Sequence, residues 1–159
     1  MLKTSQTVEI MSPVGSYESL MAAIQGGANS VYFGIGKLNM RSKSSKNCWL
    51  EDLIEIARIC KENKIRSYIT LNTVVYDTEL EEMKKIVDAA KEHGITAIIA
   101  SDQSVIHYAF SKGMEIHMST QTNITNIEAV KFYSLFADVM VTARELNLDQ
   151  VKAITDAIE

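Results

Sequence analysis

The side chains able to grip a ligand or move a proton are gathered at a few places. Ser119-Thr120-Gln121-Thr122-Asn123-Ile124-Thr125-Asn126 is the densest run of uncharged hydrogen-bonding side chains in the chain. Such amides and hydroxyls either hold a neutral polar ligand or brace loops. Arg144 offers a planar guanidinium suited to a carboxylate or phosphate. Its neighbour Glu145 is either a general base or the structural partner of that arginine. Arg41 stands in a basic stretch with Lys37, Lys43 and Lys46. Ser12, Asn72 with Thr73, and Ser101 with Asp102 each follow a short apolar run. Asp102 is also placed to cap a helix. The substrate-binding candidates are therefore Arg41, Asn72, Gln121, Asn123 and Arg144. The catalytic candidates are Glu145 and His117.

The histidines and cysteines carry weaker signals. His117 lies inside an apolar run, two residues before Ser119, so both share a strand face and point toward a barrel lumen. His93 precedes Gly94 at a helix end, where the helix dipole accounts for it, and His107 lies on a helix shoulder. Glu9 interrupts the first apolar run and predicts a buried, paired carboxylate, with Arg66 or Arg144 as partner. Cys60 falls on an apolar helix face and reads as a buried, inert thiol. Cys48, at a loop–helix junction, is expected to be more exposed. The two are not a CxxC pair, and they predict no metal site in this chain. HExxH and GxSxG motifs are absent, so no nucleophile–base pair sits within one motif.

These residues are positioned by alternating strands and helices. The strands read Val8–Met11, Val31–Gly34, Ser67–Leu71, Ala97–Ala100, Ile116–Ser119 and Val139–Thr142, rich in β-branched and aromatic residues. Amphipathic helical stripes separate them. Ser16 opens the first, and Thr78/Glu81, Thr125/Glu128 and Asn147/Gln150 have capping-box spacing. Gly94 and Gly113 sit where left-handed C-caps would end their helices. Six strand–helix units in series predict an α/β fold with a parallel sheet covered by helices. A doubly wound sheet and a (β/α)8 barrel both obey that rule. The first strand-to-helix turn, Ser12-Pro13-Val14-Gly15-Ser16, is not a GxGxxG cradle, and there is no GxxxxGK[ST] loop. That lowers a dinucleotide or P-loop reading without excluding an open sheet; the reading taken is a parallel (β/α) barrel of TIM type, incomplete, with about six βα units. In either form the reactive face is at the C-terminal ends of the strands, where the polar candidates above lie. The two strand edges left by an unclosed barrel predict self-association by edge pairing, or opening toward a flatter sheet.

Composition sets the outer bounds. The 159 residues predict a single domain, 1–159. A net charge of -4 argues against a protein that coats nucleic acid generally, though not against a local basic patch. No apolar run is long enough for a membrane span, and Met1–Gln6 has no signal-like stretch, so no membrane partner and a cytoplasmic location are expected.

Several segments together resemble the collagenase-like peptidases of family U32. Glu9-Ile10-Met11-Ser12-Pro13-Val14-Gly15, then Ala22-Ala23-Ile24-Gln25-Gly26-Gly27-Ala28, is similar to the family's opening. Val31-Tyr32-Phe33-Gly34, Met40-Arg41, Thr70-Leu71-Asn72, Ser119-Thr120-Gln121-Thr122-Asn123 and Ala143-Arg144-Glu145-Leu146 follow in order, up to about Val151. The family's usual Asn-Phe pair after the Arg41 loop reads Asn47-Cys48 here. The resemblance implies the N-terminal part of a barrel within a longer protein. It also implies that the family's signature cysteines, which hold an iron–sulfur cluster in some members, lie downstream. No cofactor is therefore expected in this chain, and an iron–sulfur cluster is expected only in a longer parent. The family name implies proteolysis of collagen-like or unfolded peptides. Other members hydroxylate RNA bases, including a prephenate-dependent hydroxylation of a tRNA uridine. The implied partners are tRNA with a small prephenate-like carboxylate, or a peptide. A non-catalytic binding module is the third reading.

Overall fold

A computed structural model describes residues 8–40, 42 and 48–158. The elements alternate throughout: β1 (Met11–Pro13), α1 (Tyr17–Gln25), β2 (Ser30–Gly34), α2 (Asp52–Glu62), β3 (Arg66–Leu71), α3 (Leu80–Glu92), β4 (Ala97–Ala100), α4 (Gln103–Ser111), β5 (Glu115–Met118), α5 (Ile127–Tyr133), β6 (Val139–Met140) and α6 (Leu148–Asp156). Every strand pairs in parallel with its sequence neighbour, in the order β1-β2-β3-β4-β5-β6. A doubly wound sheet needs a reversal in that order. Without one, successive right-handed crossovers put all helices on one face and the sheet curls around the other. The chain is a curled half-barrel.

The two strand faces differ as the period of two requires. Val31, Phe33, Ile69, Leu71, Ile98, Ala100, Ile116 and Met118 face the helices and are fully buried. They pack against Leu20, Leu53, Met83, Val87, Val105 and Ala109 from the helical layer. Each large apolar side chain so buried contributes about 1.5–3 kcal/mol. The opposite, concave face carries a smaller cluster of Tyr68, Ala97 and Ile99 with Tyr32 against it.

Helix starts follow side-chain oxygens. Ser16, Asp102 and Asn147 cap α1, α4 and α6, and Asn147 and Gln150 exchange the reciprocal bonds of a capping box. Two expected starts move. Asn126, with extended backbone, caps α5 in place of Thr125, accepting from Ala129 N. Before α3 the chain first makes a 3-10 turn over Asp77–Glu79, with Glu79 reaching back to Tyr76 N, so Thr78 lies inside that turn. Four helix ends share one device. Gly27, Lys64, Gly94 and Gly113 adopt positive φ, and the next residue's N–H returns to a helix carbonyl: Ala28 to Ala23, Ile65 to Cys60, Ile95 to Ala90 and Met114 to Ala109.

Strand edges differ from expectation at both ends of the sheet. β1 begins at Met11 rather than Val8, because its pairing with β2 starts at Met11↔Ser30. Val8 and Ile10 are left exposed beside it. β6 spans only Val139–Met140, with one further bridge between Ile124 and Thr142. The long connection after β2 leaves at Ile35 and returns at Cys48, which bridge in parallel. That bridge buries Cys48, contrary to the exposure its junction position predicts. Among the described residues no helix is long and apolar enough to cross a membrane.

Candidate functional site

The C-terminal ends of the strands build a braced rim. Asn72, just past β3, sits at its centre. Its Oδ1 accepts from Met40 N at 3.1 Å, and its Nδ2 donates to Ser119 Oγ at 3.2 Å, just past β5. One carboxamide thus ties the connection after β2 to the end of β5. Ser119 also accepts from Gln121 N at 3.3 Å and so fixes the 3-10 turn Thr120–Thr122. Asn123 closes that turn in the left-handed conformation, which asparagine tolerates, and its side chain is exposed.

Met40 is held from a second direction. Asn39 is fully buried, and its Nδ2 donates to the carbonyls of Ile35 and Gly36. Its carboxamide lies directly over Gly34 at the end of β2. A Cβ on Gly34 would fall within 2.5 Å of Asn39 Cγ, Oδ1 and Nδ2. Glycine is needed there for space.

Beside this brace lies a cleft of about 270 Å³. Met40 and Val74 give it apolar walls. Thr73, Ser101, Gln103 and Gln121 give it hydroxyls and carboxamides. Among the described residues its one carboxylate, Asp102, is already engaged. Oδ1 accepts from Ser104 N and Oγ at 2.8 and 2.6 Å, and Oδ2 accepts from Val75 N at 3.1 Å. Burial alone would raise its pKa, but these bonds outweigh burial and hold it below the ordinary value. Among the described residues the buried Thr73 Oγ1 has no hydrogen-bond partner.

Arg144 and Glu145 occupy an exposed turn after β6, closed by Leu146 N to Ala143 O. No ion pair joins them among the described residues, so the expected structural pairing is not formed. Arg41 lies outside the described residues.

His117 belongs to a different neighbourhood. It faces the lumen and is buried, and its Nε2 lies 2.7 Å from Glu115 Oε1, toward the N-terminal ends of the strands. Arg66 bridges Glu115 and Glu9, and Tyr68 donates to Glu9 at 2.5 Å. The Glu9–Arg66 pairing was one of the two expected from sequence, but the carboxylate is exposed rather than buried, because Glu9 precedes the paired part of β1. The neighbouring Ser30 hydroxyl, which makes no hydrogen bond of good geometry among the described residues, the Tyr68 hydroxyl and the Arg66 guanidinium together hold the Glu9 carboxyl below its ordinary 4.5. This network ties β3 and β5 to the segment entering β1, at the end of a barrel where side chains serve stability. The structure therefore brings Asn72 and Gln121 together at the rim and separates them from His117.

Gln103 and the backbone of Met40 were missed by sequence reading. Gln103 is the first helical residue after the Asp102 cap, a position that faces the strand ends in any βα unit. Met40 enters through its N–H, which no residue type reports.

Neither thiol is a nucleophile. Cys48 and Cys60 are both free and buried, and burial pushes each to about 11. An iron–sulfur cluster takes a full set of thiolates, and these two do not fit such a group. Among the described residues no group of three or more His, Cys, Asp or Glu could hold a metal ion.

Comparison with known proteins agrees with this architecture. A collagenase from Porphyromonas gingivalis is 57% identical over 150 residues, spanning 94% of this chain and 36% of that protein. The 23S rRNA 5-hydroxycytidine C2501 synthase of Escherichia coli is 32% identical, over 100% of this chain and 24% of the enzyme. A tRNA hydroxylation protein P of Helicobacter pylori is 30% identical, over 95% of this chain and 36% of that protein. The chain spans about a third or less of these relatives' length. Among solved structures, a U32 peptidase superposes with a TM-score of 0.78 at 12% identity, covering 100% of this chain and 68% of that one. The deoxyribose phosphate aldolase of Aeropyrum pernix superposes at 0.65 with 15% identity, covering 96% and 69%, which shares the barrel fold alone. The family model for peptidase family U32 matches residues 15–159, and the chain belongs to that family.

Proposed function

We propose that this chain is the barrel portion of a protein that modifies RNA by hydroxylating a tRNA uridine. The observation that carries this reading is the rim cleft. Its free polar groups are neutral hydroxyls and carboxamides, and its one carboxylate is committed to backbone and side-chain donors. Such a lining suits a neutral heterocycle. Chemistry on a base requires that base to leave its stack and enter a pocket of this kind. Relatives named for tRNA or rRNA hydroxylation match nearly the whole chain, which supports the reading. Arg144 and Arg41 are assigned to a phosphate or to the carboxylates of a prephenate-like co-substrate. Glu145, beside Arg144 on the rim, is assigned to proton transfer. His117 is assigned to the lumen network.

The test is nucleoside mass spectrometry on tRNA, and in parallel on rRNA, from a strain lacking the gene. Loss of 5-hydroxyuridine from tRNA is expected. Unchanged levels of every hydroxylated pyrimidine would sink the reading.

A second reading is peptide hydrolysis, favoured by 57% identity to a protein named collagenase. Against it, both thiols are buried, and the Ser119 hydroxyl accepts from Asn72 and Gln121 rather than facing a base. Cleavage of denatured collagen by the purified protein would establish this second reading in place of the first.

A further inference from the structure

The cleft contains a polar group that the resting structure does not use. Thr73 lines it, and Thr73 Oγ1 is buried without a hydrogen-bond partner among the described residues. An unpaired buried hydroxyl costs roughly 1–3 kcal/mol, so a structural role does not explain it. The other polar groups around it divide into two sets. Asn72 and Asp102 are committed to bracing. Gln103 and Gln121 are exposed, with carboxamides available to the cleft.

We propose that Thr73 is a ligand-binding residue, and that the cleft takes a single neutral ring bearing an amide or imide edge, the chemistry of a pyrimidine base. A carboxamide presents a donor and an acceptor side by side, which matches the paired acceptor and donor of such an edge. The engaged Asp102 carboxylate at the cleft wall disfavours an anion in the same space. The volume, about 270 Å³, is at the small end for ligand sites and fits one ring rather than an extended peptide. Thr73 Oγ1 gives up no hydrogen bond when the side chain steps to another staggered rotamer, so its turn toward a ligand costs little. The proposal rests on the RNA reading and adds to it the residue that reads the base.

The experiment complements the deletion strain with wild type, Thr73→Val or Thr73→Ser in the whole protein. It follows the rate at which hydroxypyrimidine reappears in tRNA after induction. Thr73→Val is nearly isosteric and removes only the hydroxyl. Expected is a rate about five-fold lower, the equivalent of about 1 kcal/mol for one neutral hydrogen bond. The purified variant is expected to melt at or above the wild-type temperature, because an unsatisfied group has gone. Thr73→Ser keeps the hydroxyl and is expected to retain the wild-type rate. A Thr73→Val rate equal to wild type overturns the proposal and leaves the RNA reading standing. So does a Thr73→Ser rate as low as that of Thr73→Val, which would point to the lost methyl group. If the deletion itself changes no hydroxylated pyrimidine, the RNA reading falls and the proposal with it.

Discussion

Gly34→Ala is the smallest change that should dismantle the rim. The added methyl group would lie within 2.5 Å of three atoms of the Asn39 carboxamide, which is fully buried and cannot swing into solvent without leaving its site. Overpacking of this kind costs about 1–3 kcal/mol. Displacing Asn39 also breaks its bonds to Ile35 O and Gly36 O, at roughly 0.5–1.5 kcal/mol each. The sum is about 4 kcal/mol, or a fall in Tm of roughly 8–16 °C for a domain of this size. Urea denaturation of Gly34→Ala, Asn39→Ala and the double variant measures it. With the carboxamide removed, the methyl group has room, so Gly34→Ala in the Asn39→Ala background should cost less than about 1 kcal/mol. A Gly34→Ala loss below 1 kcal/mol, or the same loss in both backgrounds, would refute the steric reasoning.

Three other substitutions or treatments follow from the geometry. Arg66→Met removes two half-exposed ion pairs and a cation–π contact to Tyr68, and should cost about 2 kcal/mol in denaturant melts. Because the folded Glu9 carboxyl lies below its ordinary 4.5, its share of that stability is present above pH 4.5 and is lost as pH falls through the folded value. The gap between wild type and Arg66→Met should therefore narrow in acid; a gap that widens would contradict the assignment. Asp102→Ala removes the cap of α4 and the bond to Val75 N, and should lower stability by about 2 kcal/mol, read by thermal melting. Cys48 and Cys60, with thiols raised to about 11, should resist iodoacetamide in the native protein at about pH 8 and react on unfolding; mass spectrometry counts the adducts.

The alternation of strands and helices was legible because strand and helix periods differ in every unit. The alternating units alone fit a barrel and an open sheet equally; the barrel reading, which the family resemblance also implied, is borne out by the sequential strand order. Capping by Ser16, Asp102 and Asn147 could be read locally. Thr125 was misleading because its neighbour Asn126 takes the extended backbone that a cap requires. Glu9 announced a partner because a charge stood among apolar residues, and Arg66 supplied it. The rim was legible as a place, at the strand ends. The division of labour within it was not. Asn72 reads as a ligand residue in sequence, yet its amide links Met40 N to Ser119 Oγ, residues far apart along the chain. The unpaired Thr73 hydroxyl is likewise a property of its surroundings.

The strictly sequential strand order also bears on how the chain assembles. Each strand finds its partner already made by the segment before it, and none waits for a later strand to be inserted beside it. Closure entropy is met one short crossover at a time, as in a repeat array. A chain emerging from the ribosome can therefore lay down β2 on β1, then β3 on β2, burying each new helix as it appears. At every moment the growing front exposes one unpaired strand. That moving edge, rather than the finished helical surface, is where a chaperone or an aggregating neighbour would engage during synthesis.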